Sequence, residues 1–488
     1  MPDDLLILDG AHLTCADVAS VAAGRRVGLA PGSRAQMVAA SSGEAARSGH
    51  EVLAAKWSWL MGTPQGEGAQ RIFIEGHCSG VGEPLPVPQV RAMMLVRANV
   101  LATGHTGCRP EAADLLIDML NRGVTPVVPT HGDVGAAGSV PLAHMVYVAC
   151  RYGGEAWVEG ERLPASDAMR DLVEFAPTEL EALSLINGSS FATALGALAV
   201  VRAEYVLSAF DAAAALSMET VRADSSALNA EAIEARRHPY AARVAERLRG
   251  WLSGSTLVDR RRDPDSFSIR CTPVVHGASW EALAHVRSVI DRELNGASDN
   301  PLLVSTGWVE TGAFHGAPVA LVMDHLRASL TVVAGISERR TFRLTYGKLS
   351  GLPSFLVEGS GVDSGLMLAQ YTAASLVSEA KGLSHPASVD NVPTVQHHED
   401  HVSMASVASR AALEVVDILA DVAAIELLCG AQGVDLRMQA GETPGAGSRT
   451  WWEAVRARVT VWTADRTLHP DLEAVGVAVR EGVFRVQL

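Results

Sequence analysis

The stretch His131-Gly-Asp-Val-Gly-Ala-Ala-Gly-Ser-Val-Pro-Leu-Ala-His144 organises the reading of this chain. Three glycines, Gly132, Gly135 and Gly138, fall within it. Glycine adopts backbone angles that a Cβ forbids and lets main chain approach a ligand closely. Pro141 then opens an apolar run from Leu142 to Ala149, suited to the first turn of a buried helix. Taken alone, such a loop is a tight turn ahead of a core helix. Its company gives it more weight: Val81-Gly-Glu-Pro-Leu-Pro86, Arg109-Pro110 and Leu185-Ile-Asn-Gly188.

Working outward, the 488 residues are enough to bury a large core and to divide into domains. Hydrophobic residues make up 48% and charged residues 19%, the balance of a globular chain. Ala and Leu are abundant and aromatics only 5%, which predicts a helix-rich protein. The formal net charge of −15 excludes a phosphate-backbone partner and suits a protein handling small molecules. Six scattered cysteines (Cys15, Cys78, Cys108, Cys150, Cys271, Cys429) read as buried thiols. The acidic start lacks a signal-peptide pattern, and no apolar run reaches membrane-spanning length, so the expected location is the cytoplasm with no membrane partner.

A short strand is expected at Leu5 to Leu8, and helices over 89–101 and 110–121. Val124-Thr-Pro-Val-Val-Pro129 cannot continue the second helix, because its prolines lack donors and restrict their neighbours. From Phe191 a long apolar, Ala-rich run begins, and others follow at 273–292, 315–345, 364–383 and 402–430. Long apolar helices must pack on one another, so a bundle is expected. Three regions follow: 1–190 with the Gly-rich loop, a central helical bundle over 191–440, and short helices over 441–488.

These motifs, with His77, Ser268-Ile-Arg-Cys-Thr-Pro273, Ser298-Asp-Asn-Pro301, Phe314-His-Gly316, Ser337-Glu-Arg-Arg340, Gln370-Tyr371 and Glu399-Asp-His-Val-Ser-Met404, resemble the histidine and aromatic amino acid ammonia-lyase family. The resemblance covers roughly 50–440. It implies a mainly α fold, a long-helix bundle of the ammonia-lyase and fumarase–aspartase type with a smaller mixed N-terminal region. It also implies homotetramers whose active sites draw on several chains. That family cyclises an Ala-Ser-Gly triad into an electrophile, methylidene-imidazolone. Here the matching residues are Ala136, Ala137 and Gly138, in a loop about one residue shorter than the usual pattern. Ala137 has no hydroxyl to eliminate, so no cofactor is expected. Ser139 is displaced by two and followed by Val140.

By the same resemblance Arg270 grips a substrate carboxylate, to which a guanidinium offers a planar fork. Asn187 matches an amide that binds the same region, though it is equally a turn cap before Gly188. His77 and Glu399 match positions that recognise an imidazole side chain, and Gln370 completes the binding set. The catalytic tyrosines fall at Trp57 and Phe267, a neighbouring glutamine at Pro264 and an asparagine at Ala313. Neither Trp nor Phe carries the phenol. Within His397-His-Glu-Asp-His401, His397 and His401 have the spacing of helical metal ligands, but the family holds no metal here and none is expected. His398 and Glu399 are instead the candidate acid and base, with Asp265 a weaker third.

Three functions remain open. The first is an enzyme that eliminates, adds or cyclises on an amino-acid-like substrate, imidazole- or guanidine-bearing, without the electrophile. Ergothionase-like proteins, which release trimethylamine from a histidine betaine, are the precedent. The second is a ligand-binding protein or partner subunit without turnover. The third is an ammonia-lyase or aminomutase inactivated by alanine at 137.

Overall fold

In a computed structural model the described residues are 5–45, 48–49, 51, 68–259, 264–359 and 361–486. The fold is mostly helical with a few small sheets. Contacts divide the chain into two units, each assembled from separated stretches. The first unit is Met1–Val201, Arg287–Asp324 and Pro386–Arg410; the second is Arg202–Val286, His325–His385 and Ala411–Leu488. This is a different division from three consecutive regions, because the helices Ser190–Val221, Thr272–Leu294, Ala317–Thr345 and Ala405–Gln439 each supply residues to both units.

All the described strands lie in the first unit. Leu5–Leu8 pairs in parallel with Arg26–Leu29, and Val81–Pro84 pairs antiparallel with Pro129–His131. Thr125–Pro126, Glu155–Val158 and Glu161–Pro164 form a three-stranded sheet, and Leu302–Val304 with Gly307–Val309 a hairpin. The proline-rich 124–129 segment thus ends a helix, as expected, and feeds two strand edges. Val87–Ala102 is the central helix here, buried from Val90 to Ala102. Its Arg91 is buried too, and donates to Val21 O at 3.1 Å and Leu120 O at 3.0 Å, a second donor to carbonyls at two neighbouring helix ends.

The second unit is built from helices. Two glycines let its longest pair approach: a Cβ on Gly433 would lie 2.2 Å from Thr220 Cγ2, and one on Gly430 2.7 Å from Leu216 Cβ. Trp280 and Phe210 anchor the core. The segments Ala446–Arg456 and His469–Arg480 are the short terminal helices anticipated after the bundle.

The membrane reading needs correction. Glu179–Val221 and Ala317–Thr345 each contain a window of mean hydropathy 1.5, long and apolar enough to span a bilayer. Gly, Ser and Thr interrupt their apolar runs without lowering the mean hydropathy much. Their windows are 94% and 61% buried inside the chain, as core helices are.

Candidate active site

The Gly-rich loop is held by its backbone within the first unit. Gly135 O accepts from the Ser403 hydroxyl at 2.6 Å and from Gly316 N–H at 3.2 Å. Met404 N–H donates to Val134 O at 2.8 Å, and Ser139 N–H to Ile186 O at 2.7 Å. Asp133 accepts from Gly135 N–H at 3.2 Å, from Val140 N–H at 3.1 Å and from the Ser406 hydroxyl, which closes the loop on itself. Burial pushes the Asp133 carboxyl above its usual range, against the pull of those donors. Val140–Ala149 then starts with Pro141 in its first turn, as the sequence predicts.

His77 sits over this loop. It ends the Ala69–His77 helix, and its Nδ1 lies 2.8 Å from Phe73 O. A carbonyl only accepts, so Nδ1 carries the proton, and in the neutral ring Nε2 keeps a lone pair. Gly138 has φ +75°, and a Cβ there would lie 3.0 Å from His77 Nε2. Glycine at 138 therefore leaves the room that brings the accepting nitrogen against the Ala136–Gly138 triad. Nearby, His144 Nε2 accepts from Gly80 N–H at 3.1 Å, and burial depresses the pKa of that imidazole.

Asn187 is brought to the loop's flank, but its side chain is committed. Its amide donates to Asp299 Oδ1 at 2.9 Å and Asn300 O at 2.8 Å, and its oxygen accepts from Gly188 N–H at 2.9 Å. The backbone oxygen of Asn187 takes Arg97 at 2.8 Å, and Arg97 pairs with Asp299 at 2.8 Å with neither side chain exposed. Gly188 at φ +85° could not be otherwise, because a Cβ would meet Ser298 O at 2.0 Å. Upstream, the Glu179–Ile186 helix opens with a Thr178–Glu181 capping box, and Glu181 is also gripped by Arg109 at 2.7 Å. The Arg109-Pro110 motif thus fixes the helix whose last residue receives Ser139.

The segment before Ser403 is not α-helical; it holds only a short 3-10 turn at Val395–His397. Val395, Gln396 and His397 all have positive φ, and the next helix starts only at Ala405. The helical-face spacing read into His397 and His401 therefore does not exist. His401 instead stacks on His315, ring centroids 5.2 Å apart and 22° from parallel, with His315 Nε2 3.2 Å from His401 Nδ1. Burial, then the neighbouring His401, lowers the His315 pKa. The Glu399 carboxylate accepts from the Thr394 hydroxyl at 2.6 Å, and His398 beside it is exposed.

Arg270, Phe267 and Gln370 belong to the second unit. Arg270 and Phe267 are exposed, the guanidinium 4.9 Å from the ring centroid, and Arg270 makes no ion pair among the described residues. Gln370 donates to Glu338 Oε1 at 2.6 Å. A cavity of about 430 Å³ in this unit is lined by other residues, among them Arg236, His238, Glu281, His285 and His325. Trp57 lies outside the described residues.

The triad does not fit the prosthetic group. Closing residues 136–138 into the ring's methylidene form requires loss of a hydroxyl from the middle side chain, and Ala137 carries a methyl. Ser139, the nearest hydroxyl in the chain, is buried with its N–H already bound to Ile186.

Sequence reasoning missed Arg97, Asp133 and Ser406. Arg97 carried a signal: a charge inside the apolar run from Met93 to Ala102 must find a partner if the run is buried. Asp133 and Ser406 carried none, since an acid or hydroxyl near glycines is common in any turn.

The model of the family described as aromatic amino acid lyase matches residues 60–457. A histidine ammonia-lyase from Symbiobacterium thermophilum is 42% identical over 490 residues, 97% of this chain and 96% of that protein. One from Gloeobacter violaceus is 43% identical over 500 residues, 98% of this chain and 96% of that protein. The crystal structure of a histidine ammonia-lyase from Trypanosoma cruzi superposes with a TM-score of 0.90 at 34% identity, covering 98% of this chain and 94% of that one.

Proposed function

The chain belongs to the aromatic amino acid lyase family, and from that premise we propose that it is a carbon–nitrogen lyase acting on an imidazole-bearing, amino-acid-like substrate without methylidene-imidazolone. One observation carries the reading: His77 directs an accepting nitrogen at a triad that has no hydroxyl to lose. An acceptor there suits a ring N–H of the substrate, in keeping with relatives named for histidine.

In this reading, with each site assembled from several chains of a homotetramer, Arg270 of one chain grips the substrate carboxylate and Glu399 of another meets its ring side. Glu399, with His398 beside it, is the base that takes a proton from the carbon next to the C–N bond. The C–N electron pair leaves with the amine, and a double bond forms to give an unsaturated acid. Free ammonia leaves poorly, so a substrate already carrying a quaternary ammonium fits a site that lacks the electrophile, because its neutral tertiary amine departs readily. Positioning and one acid–base pair then supply the catalysis. Asn187, whose donors are spent on Asp299 and Asn300, orders the loop's flank instead of touching substrate. Gln370 and Phe267 line the carboxylate side with Arg270.

A homotetramer goes with this reading, and so does a cytoplasmic location. Leu321 and Val332 on the Ala317–Thr345 helix and Leu368 and Tyr371 on Met367–Leu383 are 56–72% exposed in a single chain, apolar surface that a second copy would cover.

The test is incubation with L-histidine and with its N-trimethylated betaine, products read by mass spectrometry. The betaine should yield the unsaturated acid and trimethylamine, L-histidine should yield no ammonia, and Ala137→Ser should change neither. Ammonia from L-histidine would overturn the reading in favour of the chemistry for which the relatives are named. Calorimetric binding of both compounds with no product from either would make this a ligand-binding protein.

A further inference from the structure

We propose that Arg340, deep in the second unit, is a positioning residue that orients the Arg270 guanidinium; this rests on reading Arg270 as the carboxylate clamp. Arg340 lies in the Ala317–Thr345 helix and is fully buried. Glu426, equally buried on Ala405–Gln439, takes its Nε at 2.5 Å and its Nη2 at 2.9 Å. The hydroxyls of Ser217 and Ser337 each donate to Glu426 at 2.6 Å, one to each carboxylate oxygen. The carboxylate is saturated, so the fork cannot rotate. What remains of Arg340 is Nη1, which faces Ser268 O at 3.4 Å, Thr272 Oγ1 at 3.4 Å and His276 Nε2 at 3.3 Å.

The rest of the cluster keeps this arrangement neutral. His276 must present a lone pair to Arg340, so its proton is on Nδ1, which donates to Asp211 at 2.7 Å. Burial lowers the His276 pKa, and the nearby Arg340 charge does the same. Asp211 is matched by Arg247 and accepts from Trp280 Nε1 at 3.0 Å. Two guanidinium and two carboxylate charges therefore cancel around an uncharged imidazole. Apolar residues of the same volume would hold a core about as well as buried ion pairs do. What the charges add is direction, because a clamped guanidinium fork aims its free N–H groups along fixed lines.

Those lines end on the turn that bears Arg270. Phe267–Arg270 is only four residues long, too short to hold itself by helix cooperativity. Its Ser268 and Ile269 are buried, whereas Phe267 and Arg270 point outward. Thr272 Oγ1 also donates to Ser268 O, at 3.3 Å. The anchor on the buried side thus sets the angle of the exposed side, and Arg340 is the charged part of that anchor.

The experiment compares full-length wild type with Thr272→Val, Arg340→Lys and, as control, Arg270→Ala. Thr272→Val keeps the side-chain shape and removes the bridging hydroxyl, so it serves if Arg340→Lys fails to fold. Two readouts are taken: calorimetric affinity for L-histidine against L-histidinamide, which lacks the carboxylate, and hydrogen exchange of the 267–271 amides. Positioning predicts about a tenfold loss of L-histidine affinity in Arg340→Lys and a smaller loss in Thr272→Val, with histidinamide unaffected. Exchange in the turn should quicken about tenfold in both, ligand or no ligand. Unchanged exchange in Thr272→Val overturns the proposal. So does an affinity loss equal for the two ligands, which marks a merely structural role. If Arg270→Ala alone weakens L-histidine, the clamp stands and Arg340 is not its positioner; if Arg270→Ala binds as wild type, the clamp reading falls and the proposal with it.

Discussion

The loop at 135–138 and the turn at 267–270 are held in opposite ways. The loop is fixed by main-chain contacts on several sides, from Ser403, Gly316, Asp133 and Ile186, and none of its own side chains supplies a reactive group. The turn is fixed on one buried face, and its outward face carries a guanidinium that makes no ion pair among the described residues. Backbone anchoring is indifferent to side-chain identity. A loop built that way can exchange serine for alanine at 137 and keep its shape. A turn whose value lies in one aimed side chain depends on what stands behind it.

The comparison breaks most easily at Gly188, on the loop's flank. Gly188→Ala puts a Cβ on Ser298 O at a left-handed φ, and a loss of more than about 4 kcal/mol is expected, visible as failure to accumulate folded protein. Tolerance of alanine there would mean that the loop's framework is softer than its contacts imply. Next comes the turn's support: Glu426→Gln leaves Arg340 without its counter-charge and should cost about 3–5 kcal/mol in denaturant unfolding, while protection of the 135–138 amides persists. Equal loss of protection in both segments would show that they are not separately held.

Gly138→Ala sharpens the contrast at smaller cost. About 1–2 kcal/mol of stability should go, from the left-handed backbone alone, while the new methyl displaces His77 and turnover falls by more than stability. If turnover and stability fall together, His77 is packing and no more. The smallest effect is on pH. His144 is held neutral, its folded pKa below the unfolded value, so its contribution is complete above about 6.5 and is lost as pH falls toward the folded value. Unfolding midpoints should decline between pH 7 and 5 more steeply in wild type than in His144→Asn. Parallel declines would remove His144 from the loop's support.

Much of the fold was legible because it rests on local rules. The long apolar helices appear where the sequence puts them, the first within a few residues of Phe191, and Pro141 opens a helix as it should. The site was legible only as a set of names. Asn187 reads as a ligand contact until its amide is found bound to Asp299, a partner more than a hundred residues away that no local pattern discloses. His397 and His401 read as one helical face until three consecutive left-handed residues remove the helix. Glu426 interrupts an apolar run, a hint that it needs a partner, but Arg340 stands among other charges at 338–343, and pairing the two takes the tertiary structure.

The interleaving of the two units bears on how the chain is made. The first unit needs Pro386–Arg410, so its N-terminal sheets are synthesised long before the strand of chain that completes them. A nascent polypeptide released before residue 410 holds neither unit whole, and no single cut yields either as a freestanding fragment. Completion of both therefore waits on contacts of large sequence separation, which favours slow, late consolidation and leaves apolar helices in need of protection while translation runs.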